Sequence, residues 1–551
     1  MRTARFILAS GILALNALHP VAFAQSASTD LILFNGNVFT SNASQPYVEA
    51  LAIRGDRIVA VGTSKEVVAL ASKGTRRIDL GGRTVIPGIN DSHLHLEVKP
   101  SHYDLPLKSD DPTWQEMIDA LTAAVPKVAK GTWIEGVFGP TIIDDPHATK
   151  GSLDALSPDN LVVLWDWTGH ASLLNTAAMQ KFGIREDEPD PQGGRFERNH
   201  ANGKLTGMAF EYAMERVIVP YVGLVSDDEA VSQLRSFFDG AAQLGITTLQ
   251  DMASPISAER CAVLLERASP PIRVRVMWMG STDEHGRAIS EGRASNLHPT
   301  PLVTVSGTKW VLDGTPIERS AATRQPYADR PSTSGELLFP EKEMENMLRE
   351  SLQRNDQLMV HVVGDHTIET FLNAMDATGG EKVWSKRRVR LEHGDGLMPD
   401  LVPRAKRLGV IVVQNPTHFA LGELFVKRFG DKRSQMLFPV RSLLEAGIPV
   451  ALGSDGSLNP FLNIMLASSH PGNPKEAMTR EQAVIAYTLT SAYAEFAEND
   501  KGSLEPGKLA DLAVLSQDII KVPAEDLPKT ESVLTVVGGK VVYDAKVLTM
   551  N

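Results

Sequence analysis

From Thr84 to Asp455 the chain returns eight times to a short apolar run that ends in a loop, with helical patterns between the runs. Such alternation marks parallel βα units, because parallel neighbours need a crossover segment between them. The runs start at Thr84, Gly245, Ile272, Val303, Gln357, Arg388, Val410 and Ile448. Helical windows at Asp228 to Leu244, Glu341 to Gln353 and Arg480 to Ala494 accompany them. Eight units predict a (β/α)8 TIM barrel, an α/β fold whose reactive groups sit at the C-terminal ends of its strands.

Two further regions fall outside that pattern. Leu96 to about Val225 is too long for a loop and reads as a subdomain inserted after strand 1, with a helix near Trp114 to Val128 and a strand at Leu161 to Trp165. Strand patterns recur at both ends of the chain, at Asp30 to Thr40, Ala50 to Val61, Ala510 to Leu515, Ser532 to Val537 and Lys540 to Tyr543. Gly55-Asp56 and Gly538-Gly539 are the hairpin turns among them. The termini are therefore expected to build one small β-sandwich, from 25–83 and 497–551, around a barrel spanning 84–496 with its insertion at 96–225.

The extreme N-terminus reads as an export signal over residues 1–24. Arg2 and Arg5 precede the apolar run Phe6 to Leu18, and Ala22-Phe23-Ala24 offers a small-residue cleavage site. A periplasmic or secreted protein with no membrane anchor after cleavage is expected. A formal net charge of −12 argues against nucleic acid or an anionic membrane as partner. A small-molecule substrate is expected, and homo-oligomerisation is left open. Cys261 is the only cysteine, so no internal disulfide forms and no multi-thiolate metal site can be built. Its helical surroundings mark it as a small core residue.

Ligand-type residues cluster at the predicted strand ends. His93 and His95 follow strand one at alternate positions, so both imidazoles project the same way. Lys309 lies in strand four, His361 ends strand five, His393 ends strand six and Asp455 ends strand eight. Each has an ordinary structural explanation by itself. Their joint convergence on one barrel mouth points to a metal site.

These motifs resemble the amidohydrolase superfamily of metal-dependent hydrolases, within it the amidohydrolase-3 group that includes N-substituted formamide deformylase-like proteins. The resemblance rests on Pro87-Gly-Ile-Asn-Asp-Ser-His-Leu-His95, Lys309-Trp-Val-Leu-Asp-Gly314, His361-Val-Val-Gly-Asp365, Arg390-Leu-Glu-His393, Gly453-Ser-Asp455 and Gly502-Ser-Leu-Glu-Pro-Gly-Lys-Leu-Ala-Asp511. It implies two divalent metal ions, most often Zn2+. His93, His95 and Asp455 would hold the more buried ion, and His361 and His393 the other. Lys309, carboxylated by CO2 to a carboxylysine, would bridge them. The implied reaction is hydrolysis of an amide-type C–N bond of a small organic molecule by a metal-activated hydroxide, with Asp455 as catalytic general acid/base.

Substrate contacts are expected from His170 and Trp165 in the insertion, and from Tyr327 and His418. Trp165, Trp167, Trp310 and Phe438 suggest an apolar part of the substrate. Asp365 and Glu392 are expected to support ligand histidines as hydrogen-bond acceptors. Val137-Phe-Gly-Pro140, His366 and Asn459-Pro460 depart from the group's usual residues near the pocket, which bears on the substrate rather than on the reaction. An ester or lactone hydrolase using the same site is the nearest alternative. A non-catalytic periplasmic binding protein on the same barrel is the alternative of another class.

Overall fold

The computed structural model describes residues 29–252, 256, 258–288 and 297–550. The export-signal reading lies outside the described residues. Eight parallel strands form the central sheet, in sequential order around it. They are β1 (Ile89–Leu94), β2 (Ile246–Asp251), β3 (Arg273–Met279), β4 (Val303–Val311), β5 (Leu358–Val362), β6 (Arg390–His393), β7 (Ile411–Gln414) and β8 (Val450–Leu452). The sheet closes where Asp455 N–H donates to the His93 carbonyl at 2.9 Å and Ser454 N–H donates to the Asp91 carboxylate at 2.9 Å. Gly453 makes this seam possible: a Cβ there would stand 2.5 Å from the His93 backbone nitrogen. The fold is the expected (β/α)8 barrel.

One expectation about the first strand is corrected. Thr84–Pro87 pairs with Asn37–Phe39 and Leu512–Leu515, so it belongs to the terminal β-structure and not to the barrel. The barrel begins after Gly88, whose missing side chain leaves room for Thr247, since a Cβ would lie 2.1 Å from its hydroxyl. One continuous apolar run thus contains two strands, and their shared hydrophobicity hides the boundary. His93 consequently lies inside β1, and His95 just beyond it.

Strands from both termini form two sheets, one of five strands and one of six. Leu31, Leu33 and Ile78 of the first share a core with Val38, Val85, Leu512, Val514 and Leu534 of the second. The Gly55-Asp56 hairpin joins Ala50–Arg54 to Arg57–Gly62, and Gly538 and Gly539, both at positive φ, turn Ser532–Val537 back into Lys540–Asp544. Asp30 to Thr40 divides in two at Asn35 (φ 59°), and the halves enter different sheets.

The insertion contains a mixed six-stranded sheet whose strands run from Tyr103–Asp104 to Leu205–Glu211. Its helix Trp114–Ala124 starts at a capping box between Thr113 and Glu116 and buries Trp114, Met117, Leu121 and Ala124 along one face. Arg319, in the segment after β4, fixes the insertion to the barrel: it grips Asp144 through two hydrogen bonds of 2.7 and 2.9 Å and also pairs with Asp329. Cys261 is buried in helix Ala258–Ala268, as expected of a core residue, and burial pushes its thiol pKa up. Among the described residues no helix is long and apolar enough to cross a membrane.

Candidate active site

His93 and His95 project from the end of β1 with ring centroids 5.5 Å apart. The β1–β8 seam brings Asp455 beneath them, in a backbone conformation (φ 42°) that non-glycine residues rarely adopt. Its Oδ1 stands 3.6 Å from His93 Nε2 and 3.5 Å from His95 Nε2, and its Oδ2 stands 3.7 Å from His393 Nδ1. These gaps exceed hydrogen-bond range. They match the spacing of two ligand atoms on one tetrahedral ion, roughly 3.4 Å for bonds of about 2.1 Å.

His393 ends β6 at φ 67° and packs against both His93 and His361, with centroids 5.0 and 4.4 Å apart. Burial, reinforced by neighbouring imidazoles, holds His361 and His393 well below the ordinary histidine pKa, so both rings are neutral near pH 7. His361 Nε2 and His393 Nδ1 are buried without a hydrogen-bond partner. Orphaned neutral imidazole nitrogens are poor structural groups and good metal ligands. The residues fit a divalent metal centre.

Lys309 enters from β4 with 2% of its surface exposed. Its Nζ forms no hydrogen bond or ion pair among the described residues. Burial is the main force that lowers its pKa to about 8, Arg390 adds to it, and Glu392 and Asp455 oppose it. A neutral amine is therefore accessible near neutral pH, which carboxylation by CO2 requires.

Beneath these histidines lies a buried polar support. His93 Nδ1 faces Glu392 Oε2 at 2.7 Å, and Arg390 grips Glu392 at 2.7 and 3.1 Å. Burial alone would raise the Glu392 pKa, but Arg390 and His93 bring it down to about 2. The ionised carboxylate accepts the Nδ1 proton and leaves the Nε2 lone pair directed at Asp455. Glu392 thus performs the role expected from the sequence. Asp365 does not: it opens the helix Asp365–Ala377 and accepts from Arg324 N–H at 2.9 Å. The loop after β5 is braced instead by Asp313, which accepts from the N–H groups of Val363 and Gly364.

The insertion contributes His170, whose ring lies 4.8 Å from that of His361 and whose Nδ1 meets Glu211 at 2.7 Å. Burial works against charge on this ring, but Glu211, then Glu318 and Asp455, raise its pKa to about 9. Glu211 itself sits at φ 52° and also accepts from the Ser320 hydroxyl at 3.0 Å. His418 stacks over His393 at 5.4 Å, with its Nδ1 3.8 Å from Asp395. Ligand-type atoms of His393, His418 and Asp455 lie within 4.8 Å of one another. Glu211 and Asp395 escape a sequence reading because neither lies in a ligand motif. Only the Glu392-His-Gly-Asp395 spacing gives a signal for the latter.

Two expected substrate contacts lie elsewhere. The Trp165 indole donates to Glu135 at 3.1 Å and packs on Tyr221, within the insertion. Tyr327 is fully buried, donates to the Ala321 carbonyl at 2.8 Å and packs on Phe429. Trp310 and Phe438 are likewise core residues, packed against Phe339 and Phe425. Aromatic size drives burial irrespective of function, which is why aromatic content points to Trp165, Trp310 and Phe438 although they pack in cores.

The model of the Amidohydrolase family designated Amidohydro_3 matches residues 76–543. The protein LONG AFTER FAR-RED 3 of Arabidopsis thaliana is 28% identical over 541 residues, covering 93% of this chain and 91% of its own. The N-substituted formamide deformylase of Arthrobacter pascens is 28% identical over 541 residues, covering 94% and 98%. An uncharacterized metal-dependent hydrolase of Pyrococcus furiosus superposes with a TM-score of 0.66 at 22% identity, covering 89% of this chain and all of that one. With the barrel, the orphaned imidazoles and this match in hand, the chain belongs to the Amidohydrolase family of metal-dependent hydrolases acting on carbon–nitrogen bonds.

Proposed function

We propose that this protein hydrolyses an amide-type C–N bond of a small organic molecule outside the cytoplasm, with Asp455 as the general acid/base. The carrying observation is the position of Asp455, whose two oxygens stand 3.5 to 3.7 Å from three imidazoles at the ends of two strands, β1 and β6. His93, His95 and Asp455 would hold one divalent ion, and His361 and His393 a second. Lys309, if carboxylated, would add an anionic oxygen ligand to this centre, and the nitrogen-rich donors suit zinc. Bound there, the ions supply Lewis acidity and lower the pKa of water.

The remaining work falls to side chains. Burial favours a neutral Asp455, but the imidazoles of His93, His95 and His418 outweigh it and keep the carboxylate ionised. It can therefore take a proton from water and later give it to the leaving nitrogen. His170, protonated through Glu211, faces the same centre and is placed to donate a hydrogen bond to the substrate's carbonyl oxygen.

A panel of N-acyl amines, formamides, cyclic imides and esters, tested with the zinc-loaded protein, examines this reading. Turnover of at least one C–N substrate is expected to exceed that of the matching ester. Hydrolysis confined to esters, or no turnover at full metal occupancy, overturns it.

A further inference from the structure

A second group of metal-ligating side chains lies in the insertion, away from the barrel histidines. Strand Tyr103–Asp104 runs parallel to Trp133–Phe138 at the edge of the six-stranded sheet, with Asp104 directly opposite Glu135. Like charges in register repel, and Glu135 is only 3% exposed, so its charge has little water to screen it. His102, two residues before Asp104, lies against both carboxylates. Its Nε2 is 3.1 Å from Asp104 Oδ1, and its Nδ1 is 3.3 Å from Glu135 Oε1 and 2.7 Å from the Pro100 carbonyl. A neutral imidazole has a single proton for these three acceptors.

Glu135 is only half satisfied. Its Oε2 accepts from the Trp165 indole and faces Lys99 at 3.7 Å, whereas its buried Oε1 has no hydrogen-bond partner. Ligand atoms of His102, Asp104 and Glu135 lie within 4.8 Å of one another. We propose that His102, Asp104 and Glu135 form a second, structural site for a divalent cation, of the transition-metal class that one imidazole and two carboxylates select. A cation there neutralises the paired carboxylates, occupies the orphaned Glu135 oxygen and ties the edge strand to the strand that carries Glu135.

Zn2+ titration of chelator-stripped full-length protein tests the site, with Asp104→Asn and Glu135→Gln as comparisons. Asp104 is solvent-exposed, and Glu135→Gln keeps an acceptor for Trp165, so both variants should fold. Calorimetry and elemental analysis should give about one Zn2+ equivalent per chain fewer in each variant than in the wild type. Hydrolysis should be unchanged. In a background with His93, His95, His361 and His393 all replaced by alanine, so that neither ion of the barrel mouth is held, Zn2+ should still raise the thermal midpoint, and adding Asp104→Asn should abolish that shift. A zinc stoichiometry unchanged in either variant, or a midpoint shift that survives Asp104→Asn in that background, overturns the site.

Discussion

On the β1 side of the barrel mouth, His93 is held in advance: its Nδ1 is bonded to Glu392, and Arg390 grips that carboxylate in turn. On the β5–β6 side, His361 Nε2 and His393 Nδ1 are buried with no hydrogen bond. The first arrangement fixes tautomer and ring orientation before any ligand arrives. In the second, each unsatisfied nitrogen costs about 1–3 kcal/mol until something fills the gap. One wall is organised by the protein, and the other is left for the metal to organise. Asp455 faces both, which makes it the sharpest place to probe the difference.

The largest effect is expected at Asp455. Asparagine keeps its size and one oxygen but cannot accept a proton, so kcat should fall by about 10² to 10⁴ with the fold preserved by circular dichroism. A kcat within about tenfold of wild type would sink the proposed acid–base role.

The contrast between the walls can be broken without measuring activity. Glu392→Gln leaves the buried Arg390 without its charge partner and loosens His93. The metal-free protein should lose about 3 kcal/mol or more of stability, and metal affinity should drop about 10–100-fold. His361→Ala removes a group that the metal-free protein leaves unsatisfied. Its metal-free thermal midpoint should fall far less, although it too loses metal. Equal destabilisation by the two variants would mean that the walls are organised alike.

The barrel, and the gathering of His93, His95, His361, His393 and Asp455 at its mouth, were legible in sequence for a physical reason. Strand periodicity and metal-ligand residue types are local properties, and barrel geometry brings strand ends together without further information. The boundary at Gly88 was hidden because Thr84–Pro87 and Ile89–Leu94 are both buried strands and differ only in their partners. Trp165 and Tyr327 were misplaced because an aromatic ring fits a core as well as a pocket. Glu211 and Asp395 acquire their roles from contacts distant in sequence or from backbone at positive φ nearby, which no spacing rule encodes. The same holds for Glu135 opposite Asp104, a register that exists only once the insertion has folded.

The smallest effect concerns how the β1 wall is anchored just past His95. Asp251, at the end of β2, accepts the Leu96 N–H at 3.0 Å, and its other oxygen is buried without a partner. Burial raises its pKa from an ordinary 3.8 to about 7. Between those values the folded protein keeps a proton that the unfolded chain releases. Stability must therefore fall as pH rises through this window, by at most about 1.4 kcal/mol per pH unit from this group. Asp251→Asn keeps the acceptor for Leu96 and removes the titration. In metal-free protein the variant should gain stability relative to wild type between pH 5 and pH 7, read from urea midpoints at the two values. A difference between variant and wild type that is the same at both pH values would show that Asp251 is already ionised in the folded state. The anchor of the β1 wall would then be a charged group stabilised by something other than Leu96.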